Sequence, residues 1–119
     1  MNTVISTTKA PAAVGPYNQA IKAGNTVYCS GQIGLDPATG TMVEGVIAQA
    51  NRAFDNLEAG AKMTDVVKFT IFLTDINDFA QVNEVMASHV PTPYPARSCM
   101  QVAALPKGAL VEVEAIAVI

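Results

Sequence analysis

The run from Ala109 to Val118 is the most strand-like in the chain, and it constrains everything else. Only Glu112 and Glu114 interrupt its apolar residues. A strand alternates its side chains between faces, so the two acids share one face, about 7 Å apart. Acids inside an apolar strand need a partner, because an unpaired buried charge is costly. The fold must therefore supply a cation from the same chain, a ladder across a subunit contact, or a ligand.

A candidate cation lies upstream. The loop Pro91-Thr92-Pro93-Tyr94-Pro95 leads into Ala96-Arg97-Ser98-Cys99, and Ser98 to Ala104 reads as a strand. Arg97, Cys99 and Gln101 share one face of it; Ser98, Met100 and Val102 take the other, which is mostly apolar and suits a core. A guanidinium is a planar fork that pairs bidentately with a carboxylate. Arg97 is then either a structural residue bonded to a loop carbonyl or internal acid, or an anion site. The short connection to the last strand suggests a hairpin. An odd-sum register would put Glu112 and Glu114 on Arg97's face, and an even-sum register would separate them.

Charged residues are 14% of the chain and hydrophobic residues 50%, against about 25% charged in an ordinary soluble domain. So few charges do not cover a monomer's surface, and association with copies of itself is expected. With 119 residues the chain is expected to be one domain, residues 1–119. A net charge of −3 and the lack of a Lys/Arg cluster argue against nucleic acid. No segment is long and apolar enough to cross a bilayer, and the N-terminal residues lack the pattern of a secretory signal. Two cysteines, Cys29 and Cys99, are too few for a disulfide framework, which suits a reduced, cytoplasmic compartment. One His and two Cys do not make an ordinary structural zinc site, so no metal is expected.

The remaining elements follow from periodicity. Residues 2–6 could form a first strand, and 9–16 a loop punctuated by Pro and Gly. Ala20 to Lys22 and Thr26 to Ser30 read as a hairpin turning at Ala23-Gly24-Asn25, after which Ser30-Gly31-Gln32 leaves the strand. Val46 to Leu57 is an amphipathic helix, with Gln49, Arg52, Asp55 and Glu58 between its apolar positions. Val66 to Leu73 alternates as a strand with Val67, Phe69, Ile71 and Leu73 on one face. Asp78 is placed to cap a second helix, with Gln81 completing a capping box; Phe79, Val82, Met86 and His89 or Val90 line its buried stripe. The order β-β-β-α-β-α-β-β argues for an α+β fold: two helices on one face of a mixed β-sheet, the other face open for assembly.

Several side chains admit a chemical reading beside a packing one. Tyr17, behind Gly15-Pro16, is a packed aromatic or a hydroxyl aimed into a cleft. Ser30-Gly31 is turn chemistry, or a hydroxyl with a close backbone N–H. Asn83 falls on a buried stripe where an amide needs a bond. Cys99 is a buried inert thiol or one whose pKa Arg97 lowers. No phosphate loop or nucleophile elbow is present.

Gly15-Pro16-Tyr17, Ser30-Gly31-Gln32, Asn77-Asp78-Phe79 with Asn83, Pro95 to Cys99, Leu105-Pro106-Lys107 and Val111 to Ala115 together resemble the Rid (YjgF-like) family of reactive-intermediate deaminases. The similarity runs nearly the whole length. It implies a chorismate-mutase-like homotrimer with clefts between subunits. It also implies cofactor-free hydrolysis of 2-imino acids or their enamine tautomers, such as 2-aminoacrylate, to 2-oxo acids and ammonia. By the same resemblance Arg97 matches the carboxylate-binding Arg and Glu112 the catalytic Glu. Tyr17, Ser30, Gly31, Asn83 and Cys99 match substrate-binding positions. The alternatives are a trimer that only senses small 2-oxo acids, and an endoribonuclease or translation inhibitor. Against the family's usual length the chain is a few residues short between Leu57 and Thr64, and again before Arg97. The first cut must fall at the helix's C-terminal end, leaving sheet uncovered or packed differently there. The second bears on substrate range.

Overall fold

Strand polarity decides strand position. The structure, a computed structural model, describes residues 2–119. Its strands are β1 (Thr3–Ile5), β2 (Ala20–Ala23), β3 (Thr26–Gln32), β4 (Val66–Leu73), β5 (Ala96–Gln101) and β6 (Val111–Val118); its helices are α1 (Val46–Glu58) and α2 (Phe79–His89). They form one sheet in the order β1-β2-β3-β6-β4-β5. The apolar β6 takes an interior place, antiparallel to both β3 and β4. The polar β5 takes an edge, where charged side chains are tolerated and protect against further pairing. β5 pairs with β4 in parallel, which requires a crossover, and α2 supplies it. The sheet is thus mixed, and the element order is the one expected from the sequence.

The expected hairpin between Arg97's strand and the last strand does not form, because β4 lies between them. β5 also begins and ends earlier than Ser98 to Ala104, at Ala96 and Gln101. Its faces are the reverse of the expected ones. Phe69 and Ile71 of β4 are fully buried, and they stand opposite Arg97 and Cys99. Register therefore turns Arg97 and Cys99 to the helix side, while Met100, 41% exposed, lies on the open side.

Both helices cover one face. Ala50, Ala53, Phe54 and Leu57 of α1 and Val82, Val85 and Met86 of α2 share one core with Phe69, Ile71, Leu73, Val111 and Val113. Ala50 and Ala53 let α1 lie close to the sheet, and Phe54 meets Phe69 edge-on, centroids 5.6 Å apart. The C-terminal end of α1 is closed by Leu57, Met63 and Val66 within that core, with half-buried Ala61 packed against it. Two polar residues of α1 face inward, contrary to the polar role expected of Gln49. Gln49 Oε1 accepts from the Leu110 amide at 2.8 Å. Asn56 Nδ2 donates to the carbonyls of Ile33 and Leu35 at 3.1 and 3.0 Å. Helix α1 thereby fixes both the chain leaving β3 and the entry to β6.

Three smaller expectations shift. A register shift between Val66 and Lys68 leaves Val67 exposed, outside the alternation. β3 continues to Gln32 through a bulge between Cys29 and Gln32, so Ser30 and Gly31 belong to the strand. The cap before α2 is Asp75, whose side chain accepts from the Asn77 amide at 2.9 Å in a short 3-10 turn. Asp78 is already helical and makes no capping bond.

Candidate active site

The candidate residues gather into two clefts on opposite faces of the sheet. On the helix side, at the β5 edge, Asn83, Met86, Ala87, Tyr94, Pro95 and Arg97 line a cleft of about 350 Å³. Phe79 and Asn83 lie four residues apart, on one side of α2. Both hold Arg97. Arg97 Nη1 donates to Asn83 Oδ1, and the guanidinium carbon sits 5.1 Å from the centroid of the Phe79 ring. Nη1 also lies 3.9 Å from Met86 Sδ. Among the described residues no carboxylate comes within ion-pair distance of Arg97, and Nε and Nη2 have no protein acceptor. A stacked, buttressed fork with free donors beside an apolar cleft has the geometry to take a small carboxylate at two points.

Sequence reasoning put Phe79 in the buried stripe of α2. It is instead 37% exposed, with its ring under the guanidinium. The spacing of Phe79 and Asn83 was the signal that could have found this platform. Val82, Val85, Met86 and Val90 form the buried stripe. Cys99 packs at the margin of the core. Burial pushes its thiol pKa up, and the Arg97 charge offsets this only in part. It therefore lacks the thiolate character of a nucleophile. Cys29 is pushed up to about 11 by burial.

The second cleft is on the open side, where Tyr17, Gly31, Pro106, Lys107 and Glu112 line a space of about 90 Å³. Glu112 stands opposite Phe72 of β4, and Phe72 opposite Met100 of β5, so Glu112 and Arg97 project from opposite faces. Gly31 sits against the Glu112 carboxyl: a Cβ at that position would be 2.8 Å from Glu112 Cδ. The bulge in β3 thus brings bare backbone against the acid. Burial, and secondly the neighbouring Glu114, raise the Glu112 pKa above its ordinary 4.5. Ser30 Oγ donates to the Asn18 carbonyl at 2.6 Å, which leaves its oxygen able to accept. Tyr17 is 48% exposed, its ring packed over Gly15. Lys107, part of the Leu105-Pro106-Lys107 motif but given no site role from the sequence, has a left-handed backbone (φ 57°), uncommon for a residue with a side chain.

Of the sequence-derived residues, Arg97 and Asn83 therefore meet in one cleft, and Tyr17, Gly31 and Glu112 in the other, with Ser30 beside Gly31 in the bulge. The profile of the endoribonuclease L-PSP family matches residues 7–119. The chain belongs to the Rid family. Across 97% of its length it is 52% identical to the 2-iminobutanoate/2-iminopropanoate deaminase of Capra hircus, covering 88% of that protein. Its fold superposes on the crystal structure of RidA from the Antarctic bacterium Psychrobacter sp. PAMC 21119 with a TM-score of 0.96 and 53% identity, covering 98% of this chain and 99% of that one. Escherichia coli TdcF, solved with bound serine, is 42% identical with a TM-score of 0.92, over 98% of each chain. Rid relatives thus share this chain's sheet and helices from end to end.

Proposed function

We propose that this Rid-family chain is a cofactor-free deaminase that hydrolyses 2-imino acids and their enamine tautomers to 2-oxo acids and ammonia. The observation that carries this reading is the unfilled guanidinium fork of Arg97, backed by Phe79 and Asn83. The fork grips the substrate carboxylate and draws charge from the adjacent C=N carbon. That carbon is already electrophilic, so water can add to it directly. Glu112 takes a proton from the attacking water and returns it to nitrogen as ammonia leaves. Its raised pKa brings it nearer to neutral operating pH, where a general base is most effective. Tyr17, Ser30 and the Gly31 backbone position the water and the nitrogen; Cys99 supplies shape.

One chain does not bring Arg97 and Glu112 to the same small molecule, because the sheet lies between them. The reading therefore includes a homotrimer in which a neighbour's open face closes each Arg97 cleft with Glu112. The exposed Tyr28 and Met100 and half-buried Phe72 and Ile116 on that face support such packing. Among the described residues no helix is long and apolar enough to cross a membrane, and a cytoplasmic site of action is part of the proposal. The family description also names an endoribonuclease. The net charge of −3 gives a phosphate backbone little to bind, so the imine reading is preferred.

The test is a coupled assay in which an amino-acid oxidase generates the imine, a carbonyl trap competes for it, and deamination is followed. Arg97→Ala is expected to lose about 3–5 kcal/mol of transition-state binding, roughly two to four decades in rate. A mutant that turns over 2-iminopropionate as fast as the parent refutes the carboxylate role. A pure sensor would show no turnover, and Glu112→Gln would leave its ligand binding unchanged.

A further inference from the structure

We infer that Asp55 and Glu58 of α1 and His89 of α2 form a site for a divalent transition-metal ion of the zinc type. One ligand atom from each lies within 4.8 Å of the others. None of the three lines the Arg97 cleft or the Glu112 cleft.

The orientation of the imidazole carries the inference. His89 Nε2 is 2.9 Å from Asn51 Oδ1. The Asn51 amide nitrogen is already committed, donating to the Ile47 carbonyl at 3.1 Å. Its oxygen therefore meets the ring as an acceptor, and Nε2 carries the proton. The ring also stacks on Phe54, centroids 5.4 Å apart at 21°, and Phe54 is fully buried. Nδ1, the other ring nitrogen, faces Asp55 Oδ1 at 3.8 Å. A histidine that donates from one ring nitrogen to a protein oxygen is held with its other nitrogen aimed as a metal ligand would be.

The surroundings call for positive charge. Asp55 and Glu58 are three residues apart and so neighbours on the helix surface. Both stand near the C-terminal end of α1, where the helix dipole is negative, and α1 has no basic residue in its last turn. Two carboxylates and an imidazole nitrogen thus converge. A divalent ion would bridge all three. Imidazole with carboxylates suits zinc and its neighbours, and three protein ligands leave room for water. Zinc-bound atoms of a tetrahedral site lie about 3.4 Å apart. From separations of up to 4.8 Å, the exposed Asp55 and Glu58 side chains need to close by at most about 1.4 Å to reach that spacing. The ion would fasten α2, which carries Phe79 and Asn83, to α1.

His89 is the only histidine in the chain, so untagged protein gives an unambiguous readout. The experiment titrates Zn2+ against a chromogenic chelator, and follows the His89 ring nitrogens by NMR. The expected result is one ion per chain, a shift at Nδ1 with the Nε2 proton retained, and at least tenfold weaker binding in His89→Gln, Asp55→Asn and Glu58→Gln. The exposed Glu84→Gln should bind as the parent does. No stoichiometric binding, binding unchanged in the ligand variants, or a His89 signal that reports only protonation would overturn the inference. If His89→Gln fails to fold, the two exposed carboxylate variants decide it.

Discussion

A Cβ built at Gly31 would lie 2.8 Å from both Cδ and Oε1 of Glu112, and 3.1 Å from its Cγ. Ordinary contact begins near ~3.5 Å, so Gly31→Ala must push the carboxyl away by roughly 0.7 Å. The displaced atoms are the far end of a flexible side chain in an open cleft, and the fold should absorb the change. The chemistry should not: a misplacement of about 1 Å can cost on the order of 100-fold. Gly31→Ala should therefore lose about 10- to 100-fold in kcat/KM for 2-iminopropionate, with its urea midpoint close to the parent's. Gly34→Ala provides the contrast. There the new Cβ would lie 2.6 Å from the Cα of Gln49, which is backbone of α1, and a loss of about 3 kcal/mol of stability is expected. At Gly60 the nearest atom is 3.7 Å away, and Gly60→Ala should change neither quantity. Coupled deamination assays and urea unfolding on the three variants measure both. A Gly31→Ala protein with parental kcat/KM would refute the placement of the Glu112 carboxyl in the chemistry.

The raised Glu112 pKa should set the acid limb of the kcat/KM profile above the ordinary glutamate range; because Glu114 adds to the rise, Glu114→Gln should move that limb to lower pH, and an unmoved limb would show another group titrating. The same shift has a stability sign. The folded chain holds this proton more tightly than the unfolded chain, so Glu112's contribution to stability falls as pH rises from about 4.5 through its raised value. Glu112→Gln should accordingly gain stability relative to the parent on going from acid to neutral pH, as read by urea unfolding. Asn56→Ala removes the donor to two carbonyls and the acceptor of Arg52 Nε. It should cost about 2–3 kcal/mol, measured by urea unfolding.

Periodicity located every strand and both helices, because alternation and three- to four-residue spacing are local signals. Strand order was not local. Ala96 to Gln101 and Val111 to Val118 are close in sequence, which favoured a hairpin; the polarity of the first and the apolar character of the second decided otherwise. That same choice reversed the faces of β5. Arg97 could be singled out as a rare cation ahead of a strand, but its platform came from Phe79, whose aromatic ring reads as core in any helical pattern. Gly31 owes its place to a bulge, which leaves no mark in alternation beyond the glycine itself.

The opposite projection of Arg97 and Glu112 makes mixed assembly the decisive measurement. Arg97→Ala and Glu112→Gln proteins, each nearly inactive alone, are unfolded together in equal amounts, refolded, and assayed for deamination. If each site joins the guanidinium of one copy to the carboxylate of the next, about one site in four regains both, and roughly a quarter of parental activity should return. A mixture no more active than its two components would contradict the shared site.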